Sequence, residues 1–352
     1  MKIFQIVTVS EYGGAQSVVL NLLDNLALDN DTYLLYGGNG EAWRYLDRRI
    51  IKLKISTHRK GLSWKDIFLL FKLFYYRLKY KPDIVHLHSS KMGALGRLAF
   101  NPKKIVYTVH GFDSIRTAFR KFLFIEKLFK NRAAKIVAVS QYDVDGLKAE
   151  GISKNVLLIY NGQPDYVNCA DEDIDKDLQD KLDKIKSGYP KIMMCISRIS
   201  PQKKFDLYVD IAREMPEYAF VWIGNKEEMT GLPSNLFCLG EAHAAYKYLK
   251  CADLFILPSN YEGLPVSILE ALSFSIPVIA SAVGGITEIL DGKNGFAVEN
   301  NVESFKEKIN YSLSDENHTR MSVAARDSYL KNFTIDRMVN GYLSVYREIY
   351  GK

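Results

Sequence analysis

Residues 253–281, DLFILPSNYEGLPVSILEALSFSIPVIAS, decide how this chain folds. DLFILPS and PVIAS are apolar runs of strand length, and Pro265 is a favoured first residue of a helix, so the intervening VSILEALSF is expected to be helical. Strand, turn, helix and strand in one short stretch is the repeating unit of a doubly wound parallel sheet. The same stretch puts Glu262 in the turn and Glu270 inside the apolar helix, where a carboxylate costs free energy unless something there wants it.

The alternation extends in both directions. KIMMCIS, YAFVWIG and NLFCLG precede the stretch and GFAVE follows it, while the N-terminal half repeats the pattern with IFQIVTV, DTYLLYGG, DIVHLH, KKIVYTVHG and AKIVAVS between helical segments. Continuous apolar, β-branched runs fit parallel sheets covered on both faces. At 352 residues the chain exceeds what one core organises, so two α/β doubly wound domains in tandem are expected. Residues 1–165 form the first, 166–188 a charged interdomain connection with a short solvent-facing helix, 189–333 the second, and 334–352 a C-terminal helix following the second sheet.

Composition fits a globular protein, with 47% hydrophobic and 25% charged residues. Cys169, Cys195, Cys238 and Cys251 show no CxxC spacing and read as free thiols in a reducing compartment. No leader-like or membrane-spanning run is present, which points to a cytoplasmic location. Charge is uneven: residues 1–165 hold 26 Lys+Arg against 14 Asp+Glu, the remainder 21 against 27. An anionic partner is therefore expected for the first half only.

The turn before VSILEALSF offers backbone N–H groups near Gly263, Leu264 and Val266 at the positive end of a helix, outside a strand's carboxyl end, where open parallel sheets bind anionic ligands. At the corresponding end of KIMMCIS stand Arg198 and Lys203, a guanidinium and an ammonium suited to a diphosphate. Singly, each cation reads as a surface charge, Glu262 as a helix cap and Glu270 as a satisfied core carboxylate. Together they describe a site with cations for phosphates and carboxylates for hydroxyls.

Glu262 and Glu270, with GLPVSIL between them, resemble the E-x7-E motif of the retaining family 4 glycosyltransferases. EYGGAQSVVLNLL (11–23), HLHSSKMGALGRLA, TVHG, AVS, IYNG, SRISPQKKFD and AVGGITEIL are similar to that family's segments in the same order, over nearly the whole chain. The resemblance implies the GT-B fold, two Rossmann-like domains facing across a cleft, and transfer of a sugar from a nucleotide-diphosphate donor, with UDP favoured, at retained configuration. It implies that Gly13 and Gly14 let the first loop approach donor and acceptor, that Arg198 and Lys203 hold the leaving diphosphate, that Glu262, Gly263 and Leu264 hold the transferring sugar, that Glu270 grips the ribose, and that His110 contacts the sugar near its reacting carbon. Two departures stand out: Lys204 replaces the usual Gly after the motif lysine, and Gly224-Asn225-Lys226 replaces the usual G-x-G.

Other signals fail. Gly38-x-Gly40 is followed by Trp43 where a dinucleotide fingerprint needs Gly or Ala, and Asp143-Val-Asp145 falls at a helix start where capping is the expected role. No metal and no cofactor is expected, the two cations serving where Mg²⁺ serves elsewhere. In the basic half, WKDIFLLFKLFYYRLKYK (64–81) and IRTAFRKFLFIEKLFKNR (115–132) mix Lys and Arg with aromatic and aliphatic residues, which suits an anionic membrane surface, though helices packed on a sheet with solvated lysines explain either alone. No nucleic-acid motif is present. HSSKMGALGRLAF followed by VYTVHGF is similar to family members that build capsule and O-antigen polysaccharides, which implies a polyprenyl-diphosphate-linked glycan acceptor at the cytoplasmic face of the inner membrane. A GT-B sugar-nucleotide epimerase and a noncatalytic sugar-nucleotide-binding protein are the alternatives.

Overall fold

Every apolar run named above forms a strand, and all their pairings are parallel. The computed structural model of the chain describes residues 1–57, 64–167 and 174–351, and divides into Met1–Gly162 with Ile335–Lys352 as one unit and Gln163–Thr334 as the other.

Among the described residues the first unit holds seven strands: β1 (Lys2–Val7), β2 (Asp31–Tyr36), β3 (Ile51–Lys54), β4 (Ile84–His88), β5 (Ile105–Val109), β6 (Lys135–Ala138) and β7 (Val156–Leu158), in spatial order 3-2-1-4-5-6-7. Alternating strand residues feed two cores. Phe4, Ile6, Val85, Leu87 and Tyr107 pack under the helices Lys65–Tyr80, Ser90–Ala99 and Leu123–Leu128, while Val7 and Leu34 pack against the helix Gly14–Leu26. β3 and β7 do not stand out in the sequence. Both are short edge strands, β3 mostly exposed and β7 only partly buried, so neither carries a buried apolar run.

The second unit holds β8 (Ile192–Ile196), β9 (Ala219–Ile223), β10 (Leu236–Cys238), β11 (Leu254–Leu257), β12 (Val278–Ser281) and β13 (Gly295–Val298), in order 10-9-8-11-12-13. In each sheet the first strand lies beside the fourth, so the crossovers diverge there and leave a crevice at the carboxyl ends: β1 beside β4, and β8 beside β11.

The C-terminal helix, Ile335–Tyr350, does not extend the second unit. It buries Met338, Tyr342, Val345, Tyr346 and Ile349 and belongs to the first, because its tyrosine hydroxyls are what the polar groups of β1, β4 and β5 bond to. Likewise the charged helix Lys176–Gly188 is part of the second unit, burying Leu178, Leu182 and Ile185 beneath its solvated face. The boundaries between the two units thus fall at 162/163 and 334/335. Residues 168–173 of the expected connection, including Cys169, lie outside the described residues. Cys195, Cys238 and Cys251 are free thiols.

Candidate active site

In the second unit the crevice is built by two turns laced together. The chain leaves β8 through Ser197 and Arg198 into a 3-10 turn, Pro201–Lys203, and leaves β11 through Pro258 and Ser259. Asn260 N–H donates to Gln202 O (2.8 Å), Asn260 Nδ2 to Pro201 O (2.7 Å) and Gln202 Nε2 to Tyr261 O (2.9 Å). This lacing delivers Lys203 directly onto Glu262.

Glu262 is 7% exposed, and its Oε1 accepts from both Lys203 Nζ and Ser259 Oγ (2.7 Å). A buried carboxylate is tolerable on these terms because the ammonium offsets its charge and hydrogen bonds replace its lost water. Lys203 keeps donor capacity beyond this one bond. Behind the turn lies a second polar layer: Ser259 N–H donates to Ser281 Oγ (2.7 Å), Ser281 Oγ to Asn300 Oδ1, and Asn300 Nδ2 to Ser259 O (2.9 Å). On the remaining side Gly284, at φ +56°, presses so closely that an added Cβ would stand 1.8 Å from the Glu262 carbonyl oxygen, and Gly285 N–H bonds Gly263 O (3.0 Å). The position of Glu262 is therefore fixed from three directions.

The following helix runs Val266–Ser273, with Pro265 at its N-cap (ψ 120°) and not inside its first turn as the sequence suggested; its extended ψ keeps it outside the helical region. Ile268 N–H turns back to Pro265 O (3.2 Å), and the earlier N–H groups of the first turn have no helical carbonyl to meet, so this end is polarised for an anion. Glu270 lies a turn further in. Burial raises its carboxyl from the ordinary value to about 7, and among the described residues nothing pairs with that carboxyl. A buried carboxylate with spare acceptors suits a pair of hydroxyl donors.

Arg198 is exposed two residues beyond β8. Gly224, at φ +125°, lies against this segment, where a Cβ would approach Ser197 O to 2.4 Å, and Asn225 ties its own loop to the loop after β10 by accepting from Gly240 N–H (2.8 Å). Between these loops opens a cavity of about 430 Å³ with Asn225, Lys226, Glu228, Cys238 and Glu241 in its lining. Lys204 occupies the left-handed region at φ 39°, which explains why a glycine suits that position.

In the first unit, Gly13 caps the helix Gly14–Leu26 in extended geometry (φ 173°), half-buried, and Gly14 is exposed. Gly40 does not serve a dinucleotide fingerprint; it lets its loop close onto Ser10, with a would-be Cβ 2.3 Å from Ser10 O. Asp143 is not the cap of its helix either. Ser140 holds that place, and the Asp143 carboxylate accepts from Phe112 N–H (2.7 Å), fixing the turn just after His110.

His110, at the end of β5, terminates a buried hydrogen-bond chain. Gln5 sets its direction: Nε2 donates to Tyr346 Oη (3.1 Å), so Oε1 accepts from His88 Nε2 (2.7 Å), and His88 Nδ1 accepts from His110 Nε2 (2.9 Å). The Tyr346 hydroxyl donates to His86 Nδ1 (2.6 Å), and His86 Nε2 to Thr108 Oγ1 (2.7 Å). Burial lowers His110 to about 4, and His86 and His88 fall well below the ordinary histidine value, first through burial and then through neighbouring imidazoles. All three rings are neutral at physiological pH.

Of the residues singled out in the sequence, Lys203, Glu262, Gly263, Leu264 and Glu270 form one crevice with Arg198 at the next strand end; Gly13, Gly14 and His110 lie in the first unit. Sequence reasoning passed over Ser259, Ser281, Asn300, Gln5, His88 and Tyr346. The alternation His86-Leu87-His88 was a usable signal, since it sets two imidazoles on one face of a buried strand.

Residues 12–164 match the family Glycosyltransferase Family 4, and residues 178–328 match Glycosyl transferases group 1. Two Escherichia coli proteins are similar along almost the whole chain. UDP-Gal:alpha-D-GlcNAc-diphosphoundecaprenol alpha-1,3-galactosyltransferase is 28% identical, covering 98% of this chain and 96% of the relative; O-antigen biosynthesis glycosyltransferase WbnH is 27% identical, covering 98% and 97%. Among solved structures, Anabaena Alr3699/HepE in complex with UDP-glucose matches with a TM-score of 0.83 at 17% identity, over 99% of this chain and 100% of that one.

Proposed function

Because this chain belongs to the glycosyltransferases of GT-B fold, a Family 4 domain followed by a group 1 domain, we propose that it moves a hexosyl group from a UDP-sugar to a lipid-linked glycan, with retention at the anomeric carbon and no metal ion. The observation that carries this reading is the crevice in which the Lys203–Glu262 pair, a helix N-terminus and the unpaired Glu270 carboxyl meet. Its groups match a sugar nucleotide in order. Glu270 accepts from the ribose hydroxyls, the helix start with Arg198 and Lys203 binds the diphosphate, and Glu262 with the backbone of Gly263 and Leu264 holds the transferring sugar. The cavity beside Gly224 receives the base. That the galactosyltransferase relative uses UDP-Gal and a diphosphoundecaprenol-linked GlcNAc supports both the nucleotide and the acceptor class.

In the reaction the acceptor hydroxyl oxygen bonds to the anomeric carbon on the face from which the diphosphate departs. The bond from that carbon to the phosphate oxygen breaks, and the hydroxyl proton passes to a leaving phosphate oxygen. Lys203 and Arg198 stabilise the charge that accumulates there, as fixed cations do for a departing phosphate when no metal takes part. His110, neutral and anchored through His88, serves to position the sugar and not to deliver a proton. Gly13 and Gly14 leave room for donor and acceptor at the first loop. The enzyme works at the cytoplasmic face of the inner membrane, in contact with its anionic surface through the basic first unit. The test is a reaction in EDTA with the purified chain, a UDP-α-sugar and a lipid-linked glycan acceptor, the product's anomeric configuration being read by proton NMR. An α-linked product is expected; a β-linked product, or activity only after a divalent cation is restored, overturns the mechanism.

A further inference from the structure

The helix Lys65–Tyr80 is apolar on two opposite sides. Leu69 and Leu73 enter the core, while Trp64, Ile67, Phe68, Phe71, Tyr75 and Leu78 point outward, each between 54% and 72% exposed. The outward residues recur at three- and four-residue steps, forming one stripe roughly 21 Å long at 1.5 Å per residue. Scattered exposed leucines are ordinary, but a continuous stripe of this kind marks a surface that something covers.

The second basic segment lies on the same side of the sheet. Leu69, Leu73, Met92, Leu95 and Leu123 share one core, so the helices Lys65–Tyr80, Ser90–Ala99 and Leu123–Leu128 cover a single sheet face. That face also exposes Leu98, Phe119, Phe124 and Leu128.

Its charge is one-sided. Residues 64–81 contain one acid, Asp66, and residues 115–132 contain one, Glu126. Both are turned inward and paired, Asp66 with Lys91 (2.8 Å) and Glu126 with Arg97 (2.6 Å). Lys65, Lys72 and Lys79 lie over the rings of Trp64, Tyr76 and Tyr75, keeping ammonium groups beside the apolar stripe. Lys65 and Lys72 also border a slot of about 360 Å³ floored by Trp64, Phe68 and Leu69. Aromatic and aliphatic groups bordered by cations, with every acid of the two segments withdrawn, complement an interface of acyl chains and anionic headgroups. No described helix is long and apolar enough to cross a membrane, so the complement lies along the surface.

We propose that this three-helix face docks on an anionic phospholipid bilayer, the helix Lys65–Tyr80 lying in the plane of the interface with its outward stripe inserted and a lipid phosphate seated between Lys65 and Lys72. The strands are parallel, so this helix starts at the carboxyl-end edge of the sheet, the edge that carries Gly13 and His110. Docking lays this edge along the bilayer together with the rest of the face, within reach of a lipid-borne substrate. This deepens the membrane contact proposed above, yet vesicle binding is measured without donor or acceptor, so its failure leaves the crevice chemistry untouched.

The experiment is co-sedimentation of the full chain with vesicles of phosphatidylcholine alone or mixed equally with phosphatidylglycerol. Binding to the mixed vesicles is expected, with little to phosphatidylcholine alone. Lys65→Gln with Lys72→Gln should weaken it by roughly 25-fold, two cations at about a factor of five each, and Phe68→Ser with Phe71→Ser should reduce it at least as much while UDP affinity stays unchanged. Absence of the wild-type chain from the mixed vesicles overturns the proposal, as does binding by both variants equal to that of the wild-type chain. So does a dimer seen by analytical ultracentrifugation that both variants dissolve, which makes the face a contact between copies.

Discussion

Glu270 carries a conflict between stability and binding that a single substitution resolves. Burial moves its carboxyl from 4.5 to about 7. Below pH 4.5 both folded and unfolded chains hold the proton. Between 4.5 and 7 the unfolded chain releases it first, so stability falls as pH rises, and above 7 the loss is complete. At about 1.4 kcal/mol per unit this amounts to about 3.5 kcal/mol. Glu270→Gln removes the ionisation and hence the slope, leaving other titrations common to both proteins. The assay is urea unfolding of wild type and variant at pH 5 and pH 8 without nucleotide. The variant should gain about 2–3 kcal/mol on wild type between the two values. Calorimetry with UDP should show the opposite cost at pH 8: losing charge-assisted bonds from the ribose hydroxyls, at roughly 1.5–3 kcal/mol each, lowers affinity by tenfold or more. Parallel pH dependences of stability, or a variant that binds UDP as well as wild type, refute the reasoning.

Glu262→Gln keeps the Ser259 contact and should preserve the circular dichroism spectrum while cutting turnover by at least about 100-fold, a typical loss for a group that acts in the transition state; Glu262→Ala, which leaves the Lys203 ammonium half-buried without its partner, should in addition cost about 3–5 kcal/mol in urea unfolding. Lys204→Gly relieves a left-handed backbone at φ 39° and should raise stability by about 0.5–1 kcal/mol after the glycine's own entropy cost, read from the denaturation midpoint. Tyr346→Phe strips the hydroxyl shared by Gln5 and His86, and leaving those buried groups unpaired should cost about 1–3 kcal/mol; a neutral result shows that the hydrogen-bond chain does not hold the first unit together.

Much of this architecture was legible because its signals are local. Buried parallel strands read as continuous apolar runs, and DLFILPS, PVIAS and KIMMCIS say as much without reference to anything distant. Edge strands β3 and β7 lack that burial and so lack the signal. The site divided the same way. Lys203 and Glu262 could be picked out from chemistry and turn residues, but their direct pairing depends on β8 lying beside β11, which no residue states locally. Ser259, Ser281 and Asn300 are ordinary polar residues whose role exists only once three strand ends are adjacent. The C-terminal helix is the sharpest case. Its apolar spacing gives a helix, yet only the buried polar groups of Gln5, His86 and Thr108, more than 200 residues earlier, determine where it goes.

The most direct measurement of the central claim is release of nucleoside diphosphate from UDP-, GDP- and ADP-sugars in EDTA, with and without a detergent extract of bacterial lipid-linked glycans, for wild type beside Glu262→Gln. Release of UDP from one donor, stimulated by the extract and lost in the variant, is the predicted result. Turnover that survives unchanged in Glu262→Gln, or no binding of any donor by wild type, contradicts the assignment of the crevice between Lys203 and Glu270.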